Sequence, residues 1–108
     1  AATLLSIAPA VNQSGRAAKL YVMGGEGFQP ELDLVPNRQG VDAVMIAPAD
    51  WTGWAAIDTM NSIFAGTAPV LSGLGWQLVD RDRNLPSSGS FVPKVDFKSV
   101  YKKAWGVS

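Results

Sequence analysis

Two short apolar runs constrain the fold of this chain more than any other feature. Residues 20–23 read LYVM and residues 41–47 read VDAVMIA, and neither run alternates regularly between apolar and polar side chains. Runs of this length are typical of strands that are covered on both faces in a parallel sheet. A glycine-rich turn follows the first run and Pro48 closes the second. We therefore predict two buried strands of one parallel sheet.

Helical patterns surround these strands. Residues 2–14 have apolar side chains at helical spacing, but Pro9 interrupts them, so either the helix kinks or only its second part is regular. The acids after Pro30 favour one short helical turn. Residues 52–65 show the clearest helical repeat, for which Asp50 or Thr52 is the expected N-cap.

The remaining third of the chain adds a third strand, a loop and a last helix. Residues 69–79 are predicted to be extended, and the polar residues 80–95 form a long loop. Residues 96–105 follow with an apolar stripe behind Asp96, which is the predicted N-cap. The resulting order is helix, strand, short helix, strand, helix, strand, loop and helix. Such alternation predicts an α/β fold with a parallel sheet.

Composition excludes several function classes. The chain has 108 residues, which is the size of one small domain, and it contains neither cysteine nor histidine. Thiol nucleophiles, disulfides, Ser/His/Asp catalysis and histidine-based metal sites are therefore excluded, and we expect no metal and no cofactor. The formal net charge is zero and no basic cluster is interleaved with aromatic residues, so nucleic acid is not an expected partner.

Glu26 is the best single candidate for a binding residue. It is the only charged residue of the turn at residues 24–27 (GGEG), directly after the first strand. Ligands of open α/β sheets collect beyond the carboxyl ends of the strands. A carboxylate can accept hydrogen bonds from two hydroxyl groups, which suits a sugar or polyol. The alternative, at roughly even odds, is an acid in a solvated loop.

Residues just after the second strand supply weaker candidates. The indole of Trp51 could stack on the apolar face of a pyranose, while Asp50 accepts a hydrogen bond from a hydroxyl. For Trp51 this interpretation and packing are about equally favoured, whereas Asp50 is more often a helix cap than a ligand group. Trp54 lies on the apolar stripe of the helix, which favours core packing at about three to one. Trp76 and Trp105 are also interpreted as packing residues.

The succession of motifs resembles a known family. VMGGEG, RQGVDAVMIAPADWTGWAAIDTM, FAGTAPVLSG and VDRDRNLPSSGSFVPKVDFKSVYKKAWG follow one another along nearly the whole chain. Together they resemble the C-terminal portion of type I periplasmic sugar-binding proteins, the ribose-binding-like solute receptors of ABC importers. The resemblance implies the periplasmic-binding-protein type I fold, with two α/β lobes joined by crossover strands and closing over a sugar by a hinge.

The resemblance also implies how this chain is divided between the lobes. Residues 1–47 would belong to the C-terminal lobe, residues 48–70 would cross over and form a helix on the N-terminal lobe, and residues 71–108 would return to the C-terminal lobe. The fragment would contribute to both lobes and complete neither. The implied hinge residues are Ala47, Pro48, Gly73 and Gly75. We expect the remaining N-terminal part of the receptor to be missing from this chain or to be a separate polypeptide.

Individual site residues follow from the family only in part. Ribose-binding relatives read Gly-Phe-Asp-Gly at the strand turn and their Asp binds sugar hydroxyls, so Glu26 stands at the matching position with a longer reach. The relatives carry a Gln next to the crossover proline, where this chain has Ala47. The amide contact is therefore lost, and ribose itself is a poor candidate ligand.

The expected function is that of a non-catalytic sugar-binding component of an ABC transport system, which delivers its ligand to an ABC permease. Such a protein is exported, and it would be periplasmic or extracellular and membrane-anchored. One alternative is the effector-binding domain of a sugar-responsive transcription repressor, which shares this fold. A third hypothesis is a glycosidase that uses Glu26 and Asp50, since paired carboxylates are its minimum requirement.

Overall fold

The computed structural model describes residues 2–87 and 91–108, so residues 88–90 of the predicted loop lie outside the described residues. The elements are helix α1 (Ala2–Gln13), a 3₁₀ turn (Ala17–Lys19), strand β1 (Met23–Gly24), helix α2 (Gln29–Leu32), strand β2 (Ala43–Ile46), helix α3 (Ala49–Phe64), strand β3 (Gln77–Asp80) and helix α4 (Phe97–Trp105). The predicted order of helices and strands is confirmed. Helix α1 runs from Ala2 through Pro9 to Gln13, so the alternative in which only its second part is regular is wrong, and a kink at Pro9 stays a prediction.

The chain forms two compact units. Unit 1 consists of Ala1–Ala47 and Trp76–Phe91, and unit 2 consists of Pro48–Gly75 and Val92–Ser108. The chain therefore leaves unit 1 after β2, returns to it before β3, and leaves it again before α4. The last step departs from the expectation that all of residues 71–108 lie with residues 1–47. Its physical cause is the aromatic stripe of α4, which packs on α3.

Unit 1 contains a three-stranded mixed sheet in the order β1-β2-β3. β1 and β2 are parallel, with Met23 beside Ala43, but β3 runs antiparallel to β2, with Gln77 beside Ile46. The prediction of a wholly parallel sheet is therefore wrong for β3. The reason lies in the connection: residues 47–76 leave and re-enter unit 1 at the same end of β2, and a strand that starts there must run backwards along its neighbour.

β1 is shorter and more exposed than predicted. Met23 is 54% exposed and Tyr21 is 66% exposed, so the prediction of a first strand buried on both faces is wrong. Just before β1, the N–H of Val22 donates to the carboxylate of Asp42 at 2.8 Å, so a side chain takes the place of a backbone ladder partner. β2 fits its prediction, because it lies between two strands and three of its four residues are buried.

The core of unit 1 is built from side chains of α1, α2, the sheet and the segment before β2. It contains Leu4, Ala8, Leu32, Val35, Val41, Val44, Ile46 and Val79. These residues are aliphatic and none of them carries a polar side chain, so burial of apolar surface is the main stabilising contribution. The core lies directly beneath the end of β1 and the turn that follows it. A Cβ added at Gly24 would lie only 3.6 Å from Cδ2 of Leu4, one of the core residues.

Unit 2 is held together by aromatic rings of α3 and α4. Trp54 stacks on Trp105 with ring centroids 5.3 Å apart, and Phe97 and Tyr101 are the buried residues of α4. The predicted N-cap of α4 is confirmed, because Asp96 accepts from the N–H of Ser99 at 3.2 Å. The predicted N-cap of α3 is wrong: the helix begins at Ala49, before both candidates, and Pro48 occupies the cap position without a side-chain hydrogen bond.

Candidate functional site

The turn at residues 24–27 lies at the carboxyl end of β1, as predicted. It continues β1 without a break, and Gly25 and Gly27 have φ angles of +78° and +83°. Only glycine adopts such angles readily. Gly27 also approaches the end of β2 closely, since a Cβ at Gly27 would lie 2.8 Å from Cδ1 of Ile46. The turn is therefore packed onto the sheet edge at which β1 and β2 end.

A buried carboxylate holds the backbone of this turn. Glu31 is fully buried, and its Oε2 atom accepts hydrogen bonds from the N–H of Glu26 at 3.1 Å and from the N–H of Gly27 at 3.0 Å. A charged acceptor makes such hydrogen bonds stronger than a neutral one does. Glu31 therefore fixes the backbone from which the side chain of Glu26 projects.

Sequence reasoning missed this role of Glu31 and assigned the residue only to a short helical turn. A signal was present, because Phe28 is the N-cap of α2 and Glu31 is the third residue after it. A Glu at that position commonly reaches back to the N–H groups that precede a helix. Here the Glu31 carboxylate accepts from the N–H groups of Gly27 and Glu26, which are one and two residues before the cap residue.

Glu26 itself is exposed, as a residue that meets a ligand from solvent should be. Its backbone is fixed by Glu31, whereas its side chain is exposed to solvent. The structure thus combines a rigid main chain with an accessible acid at the end of a strand. Such a group can accept two hydrogen bonds from neighbouring hydroxyls without a large loss of backbone entropy.

Gln77 is a second polar residue at the same end of the sheet, and sequence reasoning missed it as well. As the first residue of β3, it pairs with Ile46, the last residue of β2. Its Oε1 atom is buried and has no hydrogen-bond partner among the described residues. Because an unpaired buried amide oxygen is costly, this atom is able to accept a hydrogen bond from a ligand hydroxyl.

Asp50 and Trp51 lie in unit 2, whereas Glu26 lies in unit 1. The ring of Trp51 stacks on Phe97, with centroids 5.3 Å apart and an interplanar angle of 4°. Asp50 has an exposed side chain whose carboxylate lies 3.6 Å from Nζ of Lys98. One face of the indole is thus occupied by packing within unit 2, and Asp50 already has a cationic neighbour. A ligand role for either residue stays a prediction.

The predicted hinge residues lie at or near the boundaries between the two units. The first segment of unit 1 ends at Ala47 and unit 2 begins at Pro48, and Gly75 is the last residue before the chain returns to unit 1. Gly73, two residues earlier, has a φ of +67° with no heavy atom within 4 Å of an added Cβ. Gly73 and Gly75 are suited to a change in backbone angles, and hinge motion stays a prediction.

A shallow pocket of about 230 Å³ lies elsewhere in unit 1. Its lining residues come from α2, the segment after it and the loop after β3; they are Gln29, Leu32, Asp33, Pro36, Leu85, Pro86 and Ser87. Ligand sites usually enclose about 300–1,000 Å³. The pocket is below this range and does not include Glu26, so the turn remains the better candidate site.

The described part of the chain shows no group of three or more acidic residues placed to hold a metal ion. Within the same residues, no helix combines the length and the apolar character that crossing a membrane requires. No family model, curated protein or solved structure matches the chain. The interpretation of the site therefore rests on its own geometry.

Proposed function

We propose that this chain is part of the sugar-binding component of an ABC transport system, in the manner of type I periplasmic binding proteins. In the complete protein two lobes close over a sugar or polyol and present it to a permease. The chain binds its ligand and does not transform it. The protein is exported, and it works in the periplasm or outside the cell on a membrane anchor.

The division of the chain into two units is the observation that carries this proposal. The chain passes from unit 1 to unit 2 between Ala47 and Pro48, and returns between Gly75 and Trp76. A receptor fragment that contributes to two lobes needs such passages, and the resemblance implies these two at nearly the same positions, although it does not imply the third passage, before α4.

The chemistry of the turn supports a polyhydroxylated ligand. Glu26 offers an accessible carboxylate on a fixed backbone, and Gln77 at the same end of the sheet adds an amide with a buried, unpaired oxygen. Sites for sugars combine acceptors of this kind with a few apolar surfaces. Both groups can accept hydrogen bonds, and sugar hydroxyls are able to donate them.

An apolar face of α3 supports the presence of a further partner, the remaining N-terminal part of the receptor. Ile63 is 60% exposed and Phe64 is 81% exposed, and α3 has no buried residue of its own. The chain carries no charged residue between positions 59 and 79. An exposed, uncharged and apolar helix face is typical of a protein–protein contact, which fits a helix that completes another lobe.

The alternative function is the effector-binding domain of a sugar-responsive transcription repressor. It requires the same fold and the same turn, so the site does not separate the two functions. A sequence upstream of this chain would do so: a secretion signal or lipoprotein leader supports the receptor, whereas a helix-turn-helix module supports the repressor.

A thermal-shift screen of the intact protein against pentoses, hexoses and polyols tests the proposal. We expect a rise in melting temperature with at least one sugar. By calorimetry, Glu26→Ala should then weaken binding of that sugar at least tenfold, because a hydrogen bond to a charged group contributes roughly 1.5–3 kcal/mol. Asp82→Ala, which changes an exposed acid of unit 1 away from the turn, should leave the affinity unchanged.

Two results would contradict the proposal. Unchanged affinity in Glu26→Ala would remove this residue from the site. Turnover of a glycoside by the wild-type protein, abolished by Glu26→Gln, would replace a binding function with a catalytic one.

A further inference from the structure

The turn after β1 has the form of an anion-binding site whose anion is part of the chain. Consecutive N–H groups, those of Glu26 and Gly27, converge on one point, and Oε2 of Glu31 occupies it at 3.1 and 3.0 Å. Convergent backbone amides of this kind bind phosphate and other anions in many proteins. In this chain the position that a phosphate oxygen would take is filled.

The surrounding residues leave little room for Glu31 to move. Its side chain is fully buried, and a Cβ placed at Gly25 would lie 2.7 Å from its Oε2 atom. The N–H of Glu31 donates to the carbonyl of Phe28 at 2.9 Å, which fixes its backbone in α2. The carboxylate is thus held from its own helix on one side and by the turn on the other.

The electrostatics of the segment also disfavour an anionic ligand. Residues 20–37 contain Glu26, Glu31 and Asp33 and contain no lysine or arginine. A phosphate brought to the turn would meet an amide pair that the Glu31 carboxylate already fills, and like charges at short range are destabilising.

We propose that Glu31 is a positioning residue. Its carboxylate fills the amide pair of the turn and thereby orients Glu26 towards the ligand. The filled amide pair also makes this end of the sheet favour a neutral sugar over a phosphorylated one. This inference rests on the proposed function, because it specifies the class of sugar and the residue through which Glu26 acts. Glu31 acts on the ligand only through the turn.

A double-mutant cycle tests the positioning role. The probe is whichever of D-xylose, D-glucose, D-galactose and ribitol gives the largest thermal shift with the intact protein. We expect Glu31→Gln to weaken its binding about tenfold, yet to change affinity less than twofold when Glu26→Ala is already present. Equal losses in both backgrounds, or no loss in the first, would overturn the positioning role. Asp33→Asn is the matched control, because Asp33 is an exposed acid two residues after Glu31. This variant should bind the chosen sugar as tightly as the wild type does.

Amide exchange in the wild-type protein supplies a test that needs no variant. The N–H groups of Glu26 and Gly27 should exchange at least tenfold more slowly than an unbonded exposed amide, and their proton resonances should move upfield in Glu31→Gln. Rapid exchange of both amides in the wild type would show that Glu31 does not hold the turn.

Ligand charge is tested by comparing the chosen sugar with its phosphate ester and with inorganic phosphate. We expect the neutral sugar to bind at least tenfold more tightly than the ester, and inorganic phosphate not to bind. Equal or tighter binding of the ester would overturn the inference while leaving the proposed function intact. If no neutral sugar and no ester binds, the proposed function and the ligand part of this inference are both overturned. The amide-exchange measurement would still decide whether Glu31 anchors the turn.

Discussion

The turn of unit 1 and the aromatic cluster of unit 2 each contain a carboxylate that accepts an N–H hydrogen bond, but they are built in opposite ways. In the turn, Glu31 accepts from two backbone amides whose approach depends on glycine. In the cluster, Asp58 accepts from the indole N–H of Trp105 at 2.7 Å, and the surrounding contacts are between side chains. A site built from the backbone should tolerate fewer substitutions than one built from side chains.

The reason for this difference is the way each structure can relax. Backbone amides of a tight turn cannot move independently, so an added methyl group displaces several groups at once. Stacked rings on two helices can shift by small changes of side-chain angles, and a smaller aromatic residue keeps part of the contact. Three predictions, each with a control variant, sharpen or break this comparison.

The largest effect is expected from Gly27→Ala. We expect it to lower the free energy of unfolding of unit 1 by about 3 kcal/mol, because a positive φ costs roughly 1–2 kcal/mol and overpacking a further 1–3 kcal/mol. Its added Cβ would overlap Ile46. Urea unfolding measured by circular dichroism checks this.

Gly66→Ala is the matched control for that substitution. Gly66 also has a positive φ, +69°, but nothing lies within 4 Å of an added Cβ. It should cost only about 1 kcal/mol, the strain of the backbone alone. Equal losses at the two glycines would show that packing of the turn onto the sheet does not matter.

An intermediate effect is expected from Trp54→Ala in the aromatic cluster. Trp54 contacts Phe97, Tyr101 and Trp105, and it is only half-buried. We therefore expect a loss of about 2 kcal/mol, below the roughly 3–5 kcal/mol of a fully buried tryptophan. Trp54→Phe should recover about half of this loss. Chemical unfolding followed by near-ultraviolet circular dichroism checks both, and a full loss in Trp54→Phe would contradict a cluster that adapts.

The smallest effect is expected from lowering the pH, which protonates Asp96 at the start of α4. The Ser99 side-chain hydrogen bond, the Ser99 backbone hydrogen bond and the charge of Lys98 hold the pKa of Asp96 below its ordinary value of 3.8. A lowered folded-state pKa means that the stabilisation is complete above that ordinary value and is lost as the pH falls through the lower folded-state pKa.

Asp96→Asn isolates this titration, because asparagine caps a helix without ionising. The urea midpoint of the wild type should fall slightly more between pH 5 and pH 2 than that of the variant, with unit 2 followed by tryptophan fluorescence. Identical pH dependence in the two proteins would show that the Asp96 cap does not depend on its charge.

Local patterns in the sequence predicted the elements but not all of their environments. The helix that begins after Asp96 was predicted with its cap and its apolar stripe, because both depend on residues within a few positions of each other. The exposure of Tyr21 and Met23 was not predicted. An apolar run shows that a strand is favoured, but not whether a neighbour covers its second face.

The candidate site divides in the same way. Glu26 at the end of the first strand follows from the order of residues, since the turn continues β1 directly. The direction of β3 depends on where residues 47–76 re-enter unit 1, which no short pattern records. Because β3 runs antiparallel to β2, its first residue, Gln77, lies at the end of the sheet where the turn with Glu26 also lies.

The sequence by itself determined the order of helices and strands, the cap of α4 and the acid in the glycine turn, because each follows from spacing within one segment. Tertiary structure alone decided that Glu31 is buried against the amides of Glu26 and Gly27, and that β3 reverses beside β2. The physical reason is that burial and strand direction depend on contacts between segments. A charged residue is buried only where particular donors meet it.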